Sequence, residues 1–184
     1  YEGPQFHPNA DPRKDKESRE LFAETIEIIK KAWTNEFFAH DGPNYTFPAP
    51  GTIFSHPLYP SDPKWQDGDN VTKLNITPKP YQKPHPPLWM TVSTDRSTIT
   101  AAELGIKPCY WQPPALRLRE RFRVYSETRS KLEGRPFRIG EDQSVMRHTY
   151  IASTMEEARK DSERGVLSSF TFNDPFRGLQ VFMN

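Results

Sequence analysis

Pro78-Lys-Pro-Tyr-Gln-Lys-Pro-His-Pro-Pro-Leu-Trp-Met-Thr-Val-Ser-Thr-Asp-Arg-Ser-Thr-Ile-Thr-Ala-Ala-Glu-Leu-Gly105 is the stretch that decides the fold. A proline-stiffened approach leads into a short β-prone run at residues 88–92. A hydroxyl-rich turn follows, and then a helix over about residues 97–104 that Gly105 can end. Strand, polar turn and helix in that order are how α/β proteins build anion sites. The first N–H groups of a helix lack intrahelical acceptors and its dipole is positive at that end, so Ser93, Thr94, Arg96, Ser97 and Thr98 form a candidate phosphate turn. Arg96 adds a guanidinium, which suits phosphate oxygens. The simpler account of the same residues is a Ser/Thr helix cap.

Downstream, strand and helix continue to alternate. Residues 109–111 read as a strand. Pro113 and Pro114 open a helix with Leu118, Phe122, Tyr125 and Leu132 on one stripe, and Gly134-Arg-Pro136 stops it. Residues 145–152 read as another strand, and Thr154-Met-Glu-Glu157 as a capping box for a further helix. Such alternation predicts a parallel sheet with helices outside it, either doubly wound or a β/α barrel, with ligands at the carboxyl ends of the strands.

Upstream the pattern differs. Residues 1–13 have the composition of a loop. Residues 16–33 place Leu21, Phe22, Thr25, Ile26, Ile28, Ile29, Ala32 and Trp33 at helical spacing, with Asp15 or Ser18 available as N-cap. Residues 37–87 hold most of the nineteen prolines and predict an irregular insertion of the kind used for lids, binding loops or oligomer contacts. Its aromatics, Tyr45, Phe47, Phe54, Tyr59 and Trp65, are expected to anchor it.

The chain has 184 residues, enough for one domain, a formal charge of +1 with interspersed signs, and one cysteine, Cys109. The charge balance argues against nucleic acid as a partner. The short apolar runs argue against a membrane span or signal peptide, so a soluble, cytoplasmic protein is expected. A lone cysteine excludes an internal disulfide and any cysteine cluster for metal, and a free buried thiol is expected. No His-Glu-x-x-His or glycine-rich phosphate fingerprint is present, and no metal is expected.

Four segments resemble the bacterial luciferase-like flavin monooxygenases. Residues 18–34 are similar to that family's R-x-x-F-x-E-x-x-x-I-I-x-x-x-W helix. Phe38-Ala-His-Asp-Gly-Pro-Asn-Tyr45 is similar to F-x-x-x-G-x-x-Y, the Pro78 to Gly105 stretch to P-x-P-x-Q-x-P-H-P-P-[IL]-W with its Ser/Thr turn and A-A-x-x-G, and Arg147-His-Thr-Tyr-Ile-Ala-Ser-Thr-Met-Glu-Glu-Ala158 to R-x-x-Y-[IV]-A-x-T-x-E-E-A. The resemblance implies a TIM-type (β/α)8 barrel. With about 250 residues needed for eight strands, residues 1–184 would be a partial barrel domain lacking the early strands, interrupted by the insertion at about 37–87.

The resemblance further implies a two-component monooxygenase. Reduced FMN from a separate NAD(P)H-dependent reductase would serve to insert one atom of O2 into a small organic substrate, in a homo-oligomer. Thr94 and Ser97 match the family's FMN-phosphate positions, with Ser93, Arg96 and Thr98 beside them. His148 matches a histidine that helps form the active site in alkanesulfonate-oxidising members. Those members carry an arginine two positions earlier, where this chain has Met146. Two alternatives remain open: an F420-dependent oxidoreductase of the same fold, and a truncated, non-catalytic barrel serving as an oligomer component.

Overall fold

The computed structural model describes residues 3–11, 13–111 and 113–177. The chain divides into two compact units, Tyr1–Pro86 and Pro87–Asn184. The division falls at the end of the proline-rich insertion, which therefore shares a unit with the long helix that precedes it.

The first unit opens with a short helix α1 (Gly3–Phe6) and a 3-10 turn (Pro8–Ala10), where a loop is expected from composition. Residues 1, 2 and 12 of that stretch lie outside the described residues. Local side-chain acceptors organise it: His7 Nδ1 accepts from the Asn9 N–H, and the Asp11 carboxylate accepts from the backbone and guanidinium of Arg13. Helix α2 (Asp15–Thr34) follows, with Leu21, Glu24 and Ala32 buried. Neither proposed cap is used. Lys14 occupies the N-cap without a side-chain bond, and Asp15 is already helical and pairs instead with Arg19 one turn on.

Beyond α2 the insertion has almost no regular structure. It forms two minimal antiparallel hairpins, β1 (His40–Asp41) with β2 (Thr46–Phe47) and β3 (Gln66–Asp67) with β4 (Asn70–Val71). A bridge between Phe38 and Leu74 closes the loop on itself. Aromatic pairs do the anchoring: Tyr45 stacks on Phe47 at 5.8 Å, and Phe54 meets Trp65 at 5.5 Å. Tyr59 packs on His56 yet stays largely exposed. His85 lies against Trp33 and approaches the Pro86 carbonyl, consistent with a rigid approach segment.

The second unit is a run of parallel β/α. Strands β5 (Trp89–Val92), β6 (Lys107–Trp111) and β7 (Ser144–Met146) form a sheet in that order, both pairs parallel. Helix α3 (Asp95–Glu103) connects the first pair and α4 (Ala115–Glu133) the second, and α5 (Met155–Arg177) follows β7. α3 packs on β5 and β6, and α4 packs on α3. Val92, Thr98, Ala101, Ala102, Ile106, Tyr110, Tyr125 and Phe137 are the buried centre. Ala101 and Ala102 are completely buried, because only small side chains let the helix lie this close to the sheet.

Polar groups tie the layers together. Tyr125 donates from α4 to the Ile106 carbonyl, and Arg129 donates to the Ala102 carbonyl in the last turn of α3. Gln143 accepts from the Tyr110 hydroxyl and donates to Ser126 and to the Phe122 carbonyl. Burial pushes the phenol of Tyr125 up to about 12 and that of Tyr110 higher still, so both remain protonated donors.

Pro108 sits in the central strand, where proline is normally excluded. The Lys107 N–H bonds to Leu88 on the β5 side. That directs the Pro108 nitrogen to the opposite side, before pairing with β7 begins at Cys109 and Ser144. No ladder bond is lost.

Three expectations are corrected here. β7 spans three residues rather than eight, because its partner β6 ends at Trp111 and leaves no neighbouring backbone beyond Met146. Arg147 instead donates from its side chain to the Pro113 carbonyl at 2.6 Å. Leu132 lies off the buried stripe of α4 and is exposed, while Tyr125 and Ser126 face inward. Cys109 is free and half-buried rather than buried, since it alternates with Pro108 and Tyr110 and faces away from α3.

That second face of the sheet carries Trp89, Thr91, Lys107, Cys109, Trp111 and Met146 by register. Trp89 is 50% exposed and Met146 49%. Parallel sheets are ordinarily covered on both faces; within the described part of this unit, helices cover one.

Candidate functional site

The turn between β5 and α3 begins from Val92, which is buried, so the chain leaves the sheet with its carboxyl end fixed. Thr94 is the N-cap of α3 in extended conformation, and with Ser97 it forms a complete capping box. The Ser97 N–H donates to Thr94 Oγ1 at 3.1 Å, and the Thr94 N–H donates to Ser97 Oγ at 3.1 Å. The helix thus starts two residues earlier than periodicity suggests, since the cap rather than the first apolar position defines its end.

The five residues singled out for phosphate occupy different environments. Ser93 and Ser97 are partly exposed, and Thr94 and Arg96 are exposed. Thr98 is completely buried and its hydroxyl donates to the Thr94 carbonyl at 3.0 Å. Its side chain therefore belongs to the packing beneath the turn, and the hydroxyls at the surface of the turn are those of Ser93, Thr94 and Ser97. Ser97 Oγ–H donates to the Thr94 carbonyl at 2.9 Å. Thr94 Oγ1 accepts from the Ser97 amide, which leaves its own proton free to turn toward Ser97 Oγ or outward.

The electrostatics of the turn are mixed. The helix N-terminus and Arg96 favour an anion. Asp95, in the first helical turn, opposes one. Arg121 from α4 reaches the Asp95 carboxylate at 3.4 Å and offsets its charge. Donor type, exposure and dipole all suit a phosphate monoester held at this end of α3, with Thr94, Ser97 and Arg96 as the side chains able to reach it.

His148 lies beyond β7 in an exposed segment without regular structure. It lines a pocket of about 380 Å3 together with Tyr150, Met155, Arg159 and Asp161, where Tyr150 Oη donates to Asp161 at 3.3 Å. His148 thus stands past the carboxyl end of a strand, the end at which β/α proteins place ligands, although not within the strand. Glu156 and Glu157 fall in the first turn of α5, where Thr154 Oγ1 accepts from the Glu157 N–H, and their role there is helix-terminal. Among the described residues no group of three or more His, Cys, Asp or Glu is placed to hold a metal. No helix among them is long and apolar enough to cross a membrane.

Sequence reasoning missed the most elaborate polar cluster, in the first unit. Glu24, 7% exposed on α2, receives His40 Nε2 at 2.9 Å, the Tyr45 N–H at 3.0 Å, the Asn44 N–H at 3.1 Å and Asn44 Nδ2 at 2.6 Å. Burial pushes its carboxyl upward, but the bonds from His40, Asn44 and Tyr45 outweigh that and hold it down at about 2. Lys31 Nζ lies 3.3 Å from His40 Nδ1. An ammonium only donates, so Nδ1 is the acceptor toward Lys31 and Nε2 the donor toward Glu24.

Gly42 makes this cluster possible. A Cβ at that position would lie 2.3 Å from Glu24 Oε1 and 2.5 Å from His40 Nε2. The signal was present in two motifs twenty residues apart, the helix glutamate and the F-x-x-x-G-x-x-Y loop. What spacing could not reveal is that the first caps the second. The carboxylate of Glu24 and the ring nitrogens of His40, the buried members of this cluster, all have partners, so it serves the fold rather than a ligand.

Comparison with known proteins agrees with this architecture. The family profile for luciferase-like monooxygenases matches residues 3–182. The monooxygenase RslO1 from Streptomyces bottropensis is similar in structure, with a TM-score of 0.57 and 23% identity over 90% of this chain and 45% of its own. The oxygenating constituent of 3,6-diketocamphane monooxygenase from Pseudomonas putida, a type II Baeyer-Villiger monooxygenase solved in complex with FMN, gives a TM-score of 0.61 and 20% identity over 92% of this chain and 42% of its own. The chain therefore spans less than half the length of these two structures, and at such identities they speak for the fold. No curated protein matches. With the profile covering nearly its whole length, the chain belongs to the luciferase-like monooxygenase family.

Proposed function

We propose that this chain forms part of an FMN-dependent monooxygenase, and that the turn at the start of α3 holds the flavin phosphate. The single observation that carries the reading is the turn itself. It is an exposed helix N-terminus at the carboxyl end of a parallel strand, with two hydroxyls and a guanidinium, in a chain of this family. The FMN in the Pseudomonas putida relative supports the choice of flavin.

Thr94 and Ser97 supply the hydroxyls in this reading, the Ser97 proton turning from the Thr94 carbonyl toward the phosphate, and Arg96 supplies charge. Thr98, buried below, fixes the Thr94 carbonyl and so the shape of the turn. When bound, reduced FMN supplies the electrons and the site at which O2 is activated for insertion of one oxygen atom into an organic substrate. The protein's contribution is to anchor the phosphate, orient the ring and keep water from it. The half-exposed face of the sheet, bearing Trp89, Thr91, Cys109, Trp111 and Met146, is read as interior surface of a β/α barrel of which β5, β6 and β7 are consecutive strands. The reductase that would supply reduced flavin, a homo-oligomeric state and a cytoplasmic location belong to the same proposal.

Equilibrium titration with oxidised FMN, monitored by flavin fluorescence, tests the reading. FMN binding that Arg96→Ala weakens, together with O2- and reductase-dependent NADH oxidation, is the expected result. Binding of the deazaflavin F420 in preference to FMN would replace this reading with hydride transfer, and a folded chain that binds neither flavin would remove the enzymatic reading altogether.

A further inference from the structure

The insertion in the first unit encloses a cup of about 520 Å3, within the range of small-molecule sites. Its walls come from four segments, at Phe37, Thr52 to Phe54, Trp65 and Val71 to Asn75, brought together by backbone bonds. Phe38 and Leu74 exchange N–H···O bonds at 2.9 and 2.8 Å, the Val71 N–H donates to Thr52, and the Thr72 and Lys73 N–H groups both donate to the Trp65 carbonyl. Gln66, buried, donates from its side chain to the Phe54 carbonyl at 2.7 Å. The scaffold is thus fixed by hydrogen bonds rather than by filling its centre.

The lining is apolar, with Phe37, Ile53, Phe54, Trp65 and Leu74. Ile53 is 68% exposed and Phe54 41%. A loop of this length normally turns such side chains inward; here two adjacent large ones remain open to solvent around a preformed hollow, the mark of a binding surface. One cation stands in the lining, Lys73, and among the described residues it forms no ion pair. No carboxylate lines the cup.

We propose that this cup binds a small apolar carboxylate, its ring or alkyl chain between Phe54, Trp65 and Leu74 and its charge at Lys73. Apolar burial supplies the affinity and the lysine selects the acid over its neutral analogue. The site is independent of the flavin reading. Its lining residues all belong to the first unit, whereas the phosphate turn belongs to the second.

The test is a titration of the isotopically labelled full chain with 2-naphthoate and with neutral 2-naphthamide, followed by amide and indole NMR shifts. The expected result is saturable shifts at Phe54, the Trp65 indole and Leu74, with naphthoate preferred by roughly two- to fivefold, the worth of one solvated ion pair. Lys73→Gln should erase the preference and leave naphthamide binding unchanged. Ile53→Ser, at an exposed position that leaves the scaffold bonds intact, should weaken both probes. Absent or scattered shifts, or a preference that survives Lys73→Gln, would overturn the proposal. So would movement of the same signals with protein concentration alone, which would assign the cup to a second copy of the chain.

Discussion

The Glu24 cluster and the Thr94 turn are both hydrogen-bond systems built around a helix, and they are opposites. Glu24 gathers donors from sixteen to twenty-one residues away into a closed, buried set. Thr94 and Ser97 bond to each other across three residues and remain at the surface. A buried set with every partner present has no capacity left for a ligand and is costly to disturb. An exposed local cap is cheap to disturb, and still has a dipole and a hydroxyl proton to offer. Resemblance drew attention to both segments, and burial separates their roles.

The sharpest way to break this contrast is Glu24→Ala. It strands the donors of His40, Asn44 and Tyr45, and should cost about 3–5 kcal/mol, the usual penalty for removing one member of a buried charged set. Hydrogen exchange should show protection lost at Asn44 and Tyr45 while the amides of α3 stay protected. An equal loss in both units would contradict the separation.

Acid titrates the same carboxylate. Its folded pKa of about 2 lies below the ordinary glutamate value of 4.5. The stabilisation is therefore present in full above about pH 4.5 and is lost as pH falls toward 2. Acid unfolding followed at the first unit should shift to higher pH in Asn44→Ala, which removes one of the bonds that hold the carboxyl down; an unchanged midpoint would separate the Asn44 side chain from the cluster.

Gly42→Ala should cost about 1–3 kcal/mol by forcing Glu24 and His40 apart, read by chemical denaturation. Thr94→Ala is the mildest, at about 1 kcal/mol for a lost N-cap. Thr94→Ser should restore both stability and flavin affinity. Recovery of stability without affinity would show that the threonine hydroxyl serves the helix alone.

Much of the second unit was legible because its signals are local. Thr94 and Gly105 bracket α3, and Gly134, in the left-handed conformation at φ 65°, ends α4 where the sequence places its stop. The length of β7 was not legible, because it depends on where a different strand runs out, at Trp111. The same reason hid the Glu24 cluster: its members lie on a helix and a loop that show no common period. The candidate phosphate turn was legible as a location, while the burial of Thr98 required the packing of α3 on β6, which no local pattern encodes.

The central claim is that the turn at α3 recognises a phosphate, and FMN and riboflavin differ by that group alone. Paired titrations of the full chain with the two flavins, repeated with Arg96→Ala, test it most directly. The account predicts tighter binding of FMN than of riboflavin, with the difference reduced in the variant. Equal affinity for both flavins, or a difference indifferent to Arg96, would contradict it.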